Sequence, residues 1–393
     1  MTNRSPALWC VLAALLLAPA VAPAGIGDSI KKKAQDKANK TADDALNKKP
    51  AEKKADETQG AGGATEAASS QEAAGDAKVS TVSTKFDFVP GDKVLLFDDF
   101  TEDELGDFPA HWKLNAGNVE TAEMDGERWL RLAGDYGRVR PKVEGTLPEY
   151  WTLEFDMHIV EPACAGIGVE GLVEGNVTAW KAELHQYGAT TVTFQSGAIT
   201  SQSEYEGVPS MVGRHHVMIM ARQAGLKIYV DTQRVVNVPD AASVGRATEV
   251  QINFLDDDCQ PMITNVRFAE GNKPTKDPFA NGKFVTYGIY FDSGSDVVKA
   301  ESAPVLRQMA AYLEANAAVK VAVDGHTDNE GNAAGNLDLS KRRAASVAKV
   351  LADQFKIAPD RFKTDGLGDT KPVASNDNAE GRAMNRRVEF TKL

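Results

Sequence analysis

Two residues of opposite charge, Asp328 and Arg343, lie fifteen positions apart in the segment GHTDNEGNAAGNLDLSKRRA. A carboxylate can accept hydrogen bonds from an ammonium group, and a planar guanidinium can hold a carboxylate through two parallel hydrogen bonds, which lysine cannot do. The two side chains could therefore bind one ligand that carries both charges. Spacing alone favours a simpler interpretation, because an aspartate and an arginine at this separation are usually solvated charges or a weak ion pair.

The elements predicted around this pair would bring the two residues together. Asp328 follows the strand predicted by VKVAVDGH, within a glycine- and asparagine-rich loop that is too polar for the core. Arg343 lies early in LSKRRAASVAKVLADQF, whose apolar residues have helical spacing. Glycine and asparagine favour turns, so the loop allows the chain to double back.

Strands and helices alternate over about residues 280–393. We predict two further strands at KFVTYGIYFD and RRVEFTKL, and a further helix at SAPVLRQMAAYLEAN with Ser302 as its cap. The predicted order is βαβαβ, which is typical of a small α/β domain.

These segments carry a resemblance to a known family. The OmpA-like C-terminal domain of peptidoglycan-associated outer-membrane proteins and flagellar stator subunits is similar to the ordered segments IYFDSGSDVV, GHTDNEGN, NLDLSKRRAASV and GLGDTKPVASNDNAEGRAMNRRVEF. The resemblance covers roughly the last 105–110 residues. It implies non-covalent binding of the meso-diaminopimelate side chain of the cell-wall peptide, with Asp328 on the ammonium and Arg343 on the carboxylate.

The resemblance also implies further ligand contacts. Thr327 and Ser293, the latter in the tight turn DSGS, would supply hydroxyl or backbone contacts. Asn336 would either bond the ligand or cap the helix, because asparagine is favoured at helix starts. One arginine of GRAMNRRVEF would approach the ligand carboxylate. The sequence does not decide between these arginines, and we assign Arg387 to this role.

His326, in GHTD, could indicate metal or acid–base chemistry. Residues 280–393 contain no second histidine and no cysteine, so the sequence favours a packed, hydrogen-bonded histidine. We expect no catalytic residue, no metal site and no cofactor, and hence a protein that is not an enzyme.

The N-terminal residues 1–24 predict a secretory signal peptide. Arg4 precedes the apolar run ALWCVLAALLLA, and APA at 22–24 fits a cleavage site. Residues 25–84 are rich in alanine, lysine and glutamate and contain no aromatic residue, which predicts a disordered tether. The expected location is the periplasm or the outer membrane. A net charge of −12 argues against a nucleic-acid partner.

Two cysteines, Cys164 and Cys259, remain once the signal peptide is removed. In an oxidising compartment they could form a disulfide, and the alternative is two buried thiols.

Residues 86–270 predict an all-β domain. YWTLEFDMHIV alternates apolar and polar residues, and HHVMIMA and LKIYVD flank RQAG as in a hairpin. The region resembles the concanavalin-like and laminin-G-like jelly rolls, which implies a β-sandwich. This sandwich could bind a glycan or an envelope protein, or serve as a spacer.

A hydrolase in the sandwich would need two carboxylates in a cleft, and Glu154 and Asp156 are candidates on one strand. We expect them to be solvated, as same-face neighbours on an alternating strand usually are. The sequence therefore predicts a non-enzymatic envelope protein that binds peptidoglycan. The alternative is an adhesin or glycan-binding protein with a wall anchor, and a cell-wall or glycan hydrolase is a distant third.

Overall fold

The computed structural model describes residues 79–161, 165–187, 189–197, 199–204, 211–255, 258, 260–271, 277–280 and 282–393. The predicted signal peptide, most of the predicted tether, and both Cys164 and Cys259 lie outside these residues. All of the described residues belong to one compact unit, Glu72–Leu393.

Residues 79–84, which the sequence assigned to the tether, belong to the packed chain. Val79–Thr81 form a 3-10 turn, and the side chain of Val79 is fully buried in the core of the C-terminal domain. Arg307 holds this segment by donating hydrogen bonds to the backbone carbonyls of Val82, at 3.1 Å, and Phe86.

Among the described residues, thirteen strands form the domain that precedes the C-terminal one. They are β1 (Lys93–Asp98), β2 (Trp112–Met124), β3 (Glu127–Pro141), β4 (Tyr150–Ile159), β5 (Ala165–Val173), β6 (Val177–Tyr187), β7 (Ala189–Ser196), β8 (Ile199–Glu204), β9 (Gly213–Arg222), β10 (Gly225–Val230), β11 (Gln233–Val238), β12 (Glu249–Phe254) and β13 (Met262–Glu270). The strand order is β11-β10-β9-β4-β13-β3-β12-β5-β6-β7-β8, with β1 beside β13 and β2 beside β3. Every pairing among them is antiparallel.

The sheet closes around one apolar core. Strand β11 packs near β7 and β8, at the opposite end of the strand order, and a short helix α1 (Ala242–Arg246) packs on β6. Aromatic rings fill the centre: Trp151 stacks on Trp180, which stacks on Phe194. The predicted all-β sandwich is therefore confirmed, with α1 as an addition that the sequence did not show.

The C-terminal domain alternates strands and helices. Its elements are β14 (Lys283–Thr286), α2 (Ala303–Ala315), β15 (Val321–His326), α3 (Ala333–Asp353), β16 (Phe362–Gly368), α4 (Ala379–Asn385) and β17 (Val388–Lys392). The sheet order is β14-β17-β15-β16, with only β15 and β16 parallel. The predicted α/β order is confirmed, and the structure adds β16 and α4, which we did not predict.

The first strand of this domain is shorter than KFVTYGIYFD. It ends at Thr286, and Tyr290 then donates its backbone N–H to the Ser302 hydroxyl at 2.9 Å. Ser302 was predicted to cap α2, but its hydroxyl accepts this bond instead and makes no cap hydrogen bond. Leaving the sheet at this point directs Tyr290 toward the sandwich.

A buried polar network joins the two domains. Glu154 accepts hydrogen bonds from the Arg267 guanidinium at 2.9 Å and from the Tyr290 hydroxyl at 2.7 Å. Asp156 accepts one from His216 at 2.7 Å. We expected Glu154 and Asp156 to be solvated, and this was wrong for Glu154, which is 3% exposed, because the C-terminal domain covers that face of β4. Asp156 is partly covered.

Among the described residues, none of the helices is both long enough and apolar enough to cross a membrane.

Candidate functional site

Asp328 lies two residues beyond the end of β15. The backbone before it is fixed on both sides, because His326 donates its N–H to the carbonyl of Arg387 and Thr327 donates to that of Gly368, each at 3.0 Å. Asp328 is buried, and its carboxylate accepts hydrogen bonds from the backbone N–H of Glu330 at 3.2 Å and from Arg386 at 2.6 Å. The chain therefore presents this carboxylate in a defined orientation.

The loop after Asp328 is held by the first turn of α3. Asn332 caps the helix, since its side-chain oxygen accepts from the Gly335 N–H at 2.8 Å. Asn336 donates its amide N–H groups to the carbonyls of Asp328 at 3.2 Å and Glu330 at 2.9 Å. Of the two roles predicted for Asn336, the structure therefore excludes the cap, and its amide positions the Asp328 loop.

Arg343 lies in the third turn of α3 and reaches the DSGS turn. Its guanidinium donates to the carbonyls of Ser295 at 2.8 Å and Asp292 at 3.1 Å. The Phe291 ring lies under it, 4.8 Å from ring centroid to Cζ. Burial lowers the pKa of Arg343, and nearby Asp328 opposes this effect. Within the described residues Nη1 makes no hydrogen bond, so it can donate to a ligand carboxylate.

Ser293 and Thr327, whose hydroxyl groups were predicted to contact the ligand, lie in different surroundings. Ser293 is exposed in the turn that receives Arg343, where Gly294 adopts φ +68°. Thr327 is buried and donates its hydroxyl to the carbonyl of Asp328 at 2.8 Å. Ser293 can therefore face a ligand, whereas Thr327 supports the backbone of the loop.

The structure does not bring Arg387 to this site. Its guanidinium is buried and donates to Glu389 at 2.7 Å and to the carbonyls of Lys371 at 3.0 Å and Asn385 at 3.3 Å. Its neighbour Arg386, 36% exposed in its side chain, pairs with Asp328. The arginine beside Asp328 is thus Arg386, which corrects our assignment.

Three charged groups form the candidate site: Asp328, Arg343 and Arg386. The two guanidinium groups interact electrostatically with each other, and Arg343 with Asp328. A carboxylate flanked by two guanidinium groups offers an acceptor for a cation and several donors for an anion. The site can therefore bind a zwitterion. Sequence reasoning included Arg386 among the candidate arginines of GRAMNRRVEF but assigned the role to Arg387.

His326 is buried beneath this site, as predicted. Burial, and then the charge of Arg387, lowers its pKa to about 4, so the imidazole is neutral at physiological pH. We also predicted a hydrogen bond, but neither ring nitrogen makes one among the described residues, and Nε2 lies 3.9 Å from the Glu389 carboxylate. The described residues contain no group of three or more His, Cys, Asp or Glu that could hold a metal ion.

Asn385, at the end of α4, organises the loop before that helix. Its side-chain oxygen accepts from the N–H groups of Val373 at 2.8 Å and Ala374 at 3.2 Å. Its amide nitrogen donates to the carbonyl of Ala374 at 3.0 Å and to the Asn376 side chain at 2.8 Å. Asn385 is fully buried and directly precedes Arg386 in the chain. Its hydrogen bonds therefore also fix the backbone from which the Arg386 side chain extends.

Asn385→Ala is expected to lower the free energy of unfolding by about 2–3 kcal/mol, because it removes four hydrogen bonds of a fully buried side chain to the part-buried loop. Asn332→Ala, which removes an exposed helix cap, serves as control and should cost about 1 kcal/mol. Thermal denaturation measures both. A loss for Asn385→Ala no larger than that for Asn332→Ala would contradict this role.

Comparison with known proteins places this site in a family. The model of the OmpA family matches residues 290–386. Outer membrane protein A of Bordetella avium is 38% identical over 130 residues, which are 33% of this chain and 66% of that protein. Peptidoglycan-binding protein ArfA of Mycobacterium bovis is 40% identical over 99 residues, 25% of this chain and 30% of that protein. The chain thus spans less than two thirds of either relative.

A solved structure, the cell wall anchor of the T6SS from Pseudomonas aeruginosa, is 39% identical. The similarity covers 28% of this chain and 80% of that one, with a TM-score of 0.26.

Proposed function

Because residues 290–386 of this chain are an OmpA family domain, we propose that the protein binds peptidoglycan without covalent chemistry and holds its β-sandwich at the cell wall. The ligand group is the free end of diaminopimelate, which carries an ammonium and a carboxylate on one carbon. The observation that carries the proposal is the group of Asp328, Arg343 and Arg386, which matches both charges. The name of the mycobacterial relative, a peptidoglycan-binding protein, supports peptidoglycan as the partner.

In this proposal Asp328 binds the ligand ammonium. One carboxylate oxygen already accepts from Glu330 and the other from Arg386. Each oxygen has a second lone pair, so the ammonium can share the carboxylate with Arg386 rather than displace it. The nearby positive charges of Arg386 and Arg343 are then available for the ligand carboxylate.

Arg343 binds the ligand carboxylate through Nη1. Its other two donor nitrogens are held by the carbonyls of Asp292 and Ser295, so the guanidinium is fixed before the ligand arrives. A fixed side chain loses less conformational entropy on binding than a mobile one. Partial burial also reduces the screening of these charges by solvent.

Co-sedimentation with purified sacculi tests the proposal. Sacculi with diaminopimelate in the stem peptide should pellet the wild-type protein, and Asp328→Ala and Arg343→Ala should each weaken binding about tenfold or more, since charged hydrogen bonds are lost. The matched control is Arg342→Ala, because the exposed Arg342 lies beside Arg343 on α3 and pairs with Asp338 of the same helix and with Asp296, outside it. Its affinity should stay within about twofold of wild type.

Sacculi that carry lysine in place of diaminopimelate distinguish binding of the ligand ammonium from binding of the ligand carboxylate. Lysine keeps the ammonium but lacks the terminal carboxylate, so the wild type should bind these sacculi more weakly and Arg343→Ala should cause little further loss. If the wild type and all the variants pellet equally with both kinds of sacculi, the proposal is wrong.

A further inference from the structure

The sandwich contacts the C-terminal domain beside the candidate site. Val94 and Phe97, on β1, form a buried apolar cluster with Ala379 and Ala383 of α4. The two alanines are four residues apart and therefore lie on one face of the helix. Their small side chains allow β1 to approach closely, and α4 ends immediately before Arg386.

The Phe97 ring faces the Arg386 guanidinium. The distance from the ring centroid to Cζ is 5.2 Å, and Phe97 is itself buried. This is the geometry of a cation–π contact, in which the negative face of the ring attracts the cation. The same guanidinium donates to Asp328 at 2.6 Å, so Arg386 lies between a sandwich residue and the ligand site.

A second contact from the sandwich fixes the other end of α4. Glu102, four residues beyond β1, accepts a hydrogen bond from the backbone N–H of Ala379. Arg382 lies 3.8 Å from the Glu102 carboxylate and 3.7 Å from that of Glu330, in the loop of Asp328. The sandwich therefore holds both ends of the helix that presents Arg386.

We propose that Phe97 of the sandwich is a positioning residue of the peptidoglycan site and acts by orienting Arg386 toward Asp328. The inference rests on the proposed function and adds that the site needs both domains. Phe97 does not contact the ligand, so its effect passes through Arg386. Because the Arg386 side chain remains 36% exposed, the cation–π contact is expected to be worth about 0.5–1 kcal/mol, which corresponds to a two- to fivefold change in affinity.

Binding of the full chain to diaminopimelate sacculi tests the inference. Phe97→Leu, which keeps an apolar side chain but removes the ring, should weaken binding about threefold, and Phe97→Tyr should restore it. In an Arg386→Gln background, Phe97→Leu should cause no further loss, because the coupled partner is gone. Val94→Ala, a change in the same cluster without a ring, should weaken binding less than Phe97→Leu does, and its effect should be the same in both backgrounds. An equal loss in both backgrounds would mean that Phe97 has only a structural role.

A second readout does not depend on the wall. In arginine-labelled protein, the side-chain NMR signal of Arg386, assigned by its absence in Arg386→Lys, should carry a ring-current shift that Phe97→Leu removes and Phe97→Tyr retains. An Arg386 signal that is unchanged in Phe97→Leu overturns the inference. If Asp328→Ala binds sacculi as tightly as the wild type, the proposed function fails instead, and the Arg386 signal still decides the role of Phe97.

Discussion

Replacing Arg267 with methionine is expected to lower the free energy of unfolding by about 3–5 kcal/mol, because it removes the cationic partner of the buried Glu154 carboxylate. Arg267 is buried and donates to Glu154 at 2.9 Å and to the carbonyl of Gly91 at 2.6 Å. Methionine retains much of the apolar stem, so the loss should arise mainly from the missing charge and hydrogen bonds. Burial raises the pKa of Glu154, but His216, Arg267 and Tyr290 more than offset it and lower the pKa overall.

Urea unfolding followed by tryptophan fluorescence measures this loss, since Trp151 and Trp180 lie in the sandwich core. The double variant Arg267→Met, Glu154→Gln should lose less than the sum of the two single variants, because charge and partner are removed together. Arg131→Met is the matched control. Arg131 pairs with Glu120 on the surface, and the change should cost less than about 1 kcal/mol. Equal losses for Arg267 and Arg131 would show that burial of the pair is unimportant.

The same network of hydrogen bonds and ring contacts connects the two domains. Tyr290 of the C-terminal domain donates to Glu154 of the sandwich, and Arg267 stacks on the Tyr287 ring, with 5.0 Å from Cζ to the centroid. These contacts and the cluster around Phe97 lie at separate points of one interface. We therefore expect the sandwich to keep a fixed orientation relative to the candidate site around Asp328, rather than to move freely about it.

Patterns within single elements predicted much of this fold. Alternation identified β4, because Trp151, Leu153 and Phe155 all face the core. Helical spacing identified α2 and α3, whose apolar faces pack under the small sheet. The spacing of Asp328 and Arg343 is meaningful because one follows a strand and the other lies on the next helix, and both elements were predictable.

Contacts between domains could not be predicted in the same way. The polar side of β4 carries Thr152 and Glu154, which alternation alone marks as a solvent face, yet both are buried. Alternation reports which residues share a face, not whether a second domain covers it. Tyr290 illustrates the same limit, because its apolar neighbours predicted a strand and it instead leaves the sheet to reach Glu154.

The choice between Arg386 and Arg387 depended on register. Val388 and Phe390 of β17 point into the core of the small domain. Arg387, directly before the strand, lies on the other side with Glu389 and donates to it at 2.7 Å. Arg386 comes just after α4, before the strand begins, and is free to turn toward Asp328. Two adjacent arginines thus differ in role because Arg387 directly precedes β17 and continues its alternation, whereas Arg386 lies in the turn after α4.

His216 should make the stability of the protein fall as pH rises above neutrality. The imidazole donates to Asp156 at 2.7 Å, its other nitrogen lies 3.5 Å from Glu154, and its ring packs on that of Tyr290. Burial alone would lower its pKa, but Asp156 and Glu154 outweigh burial and raise the pKa to about 10. His216 is therefore charged in the folded protein at pH 7 to 8, whereas an unfolded histidine is mostly neutral there.

The direction of this pH dependence follows from the difference between the pKa of His216 in the folded and in the unfolded protein. The folded pKa lies above the unfolded value of about 6.5, so the stabilisation is fully present below pH 6.5 and is lost as pH rises through about 10. The full loss should be on the order of 4 kcal/mol, measured from urea midpoints at pH 6, 8 and 10. His216→Gln removes this titration but leaves other groups in place, so it should be less stable at pH 6 and nearly flat up to pH 10. If the free energy of unfolding of His216→Gln and of the wild type change with pH in parallel, His216 is not charged at the domain interface.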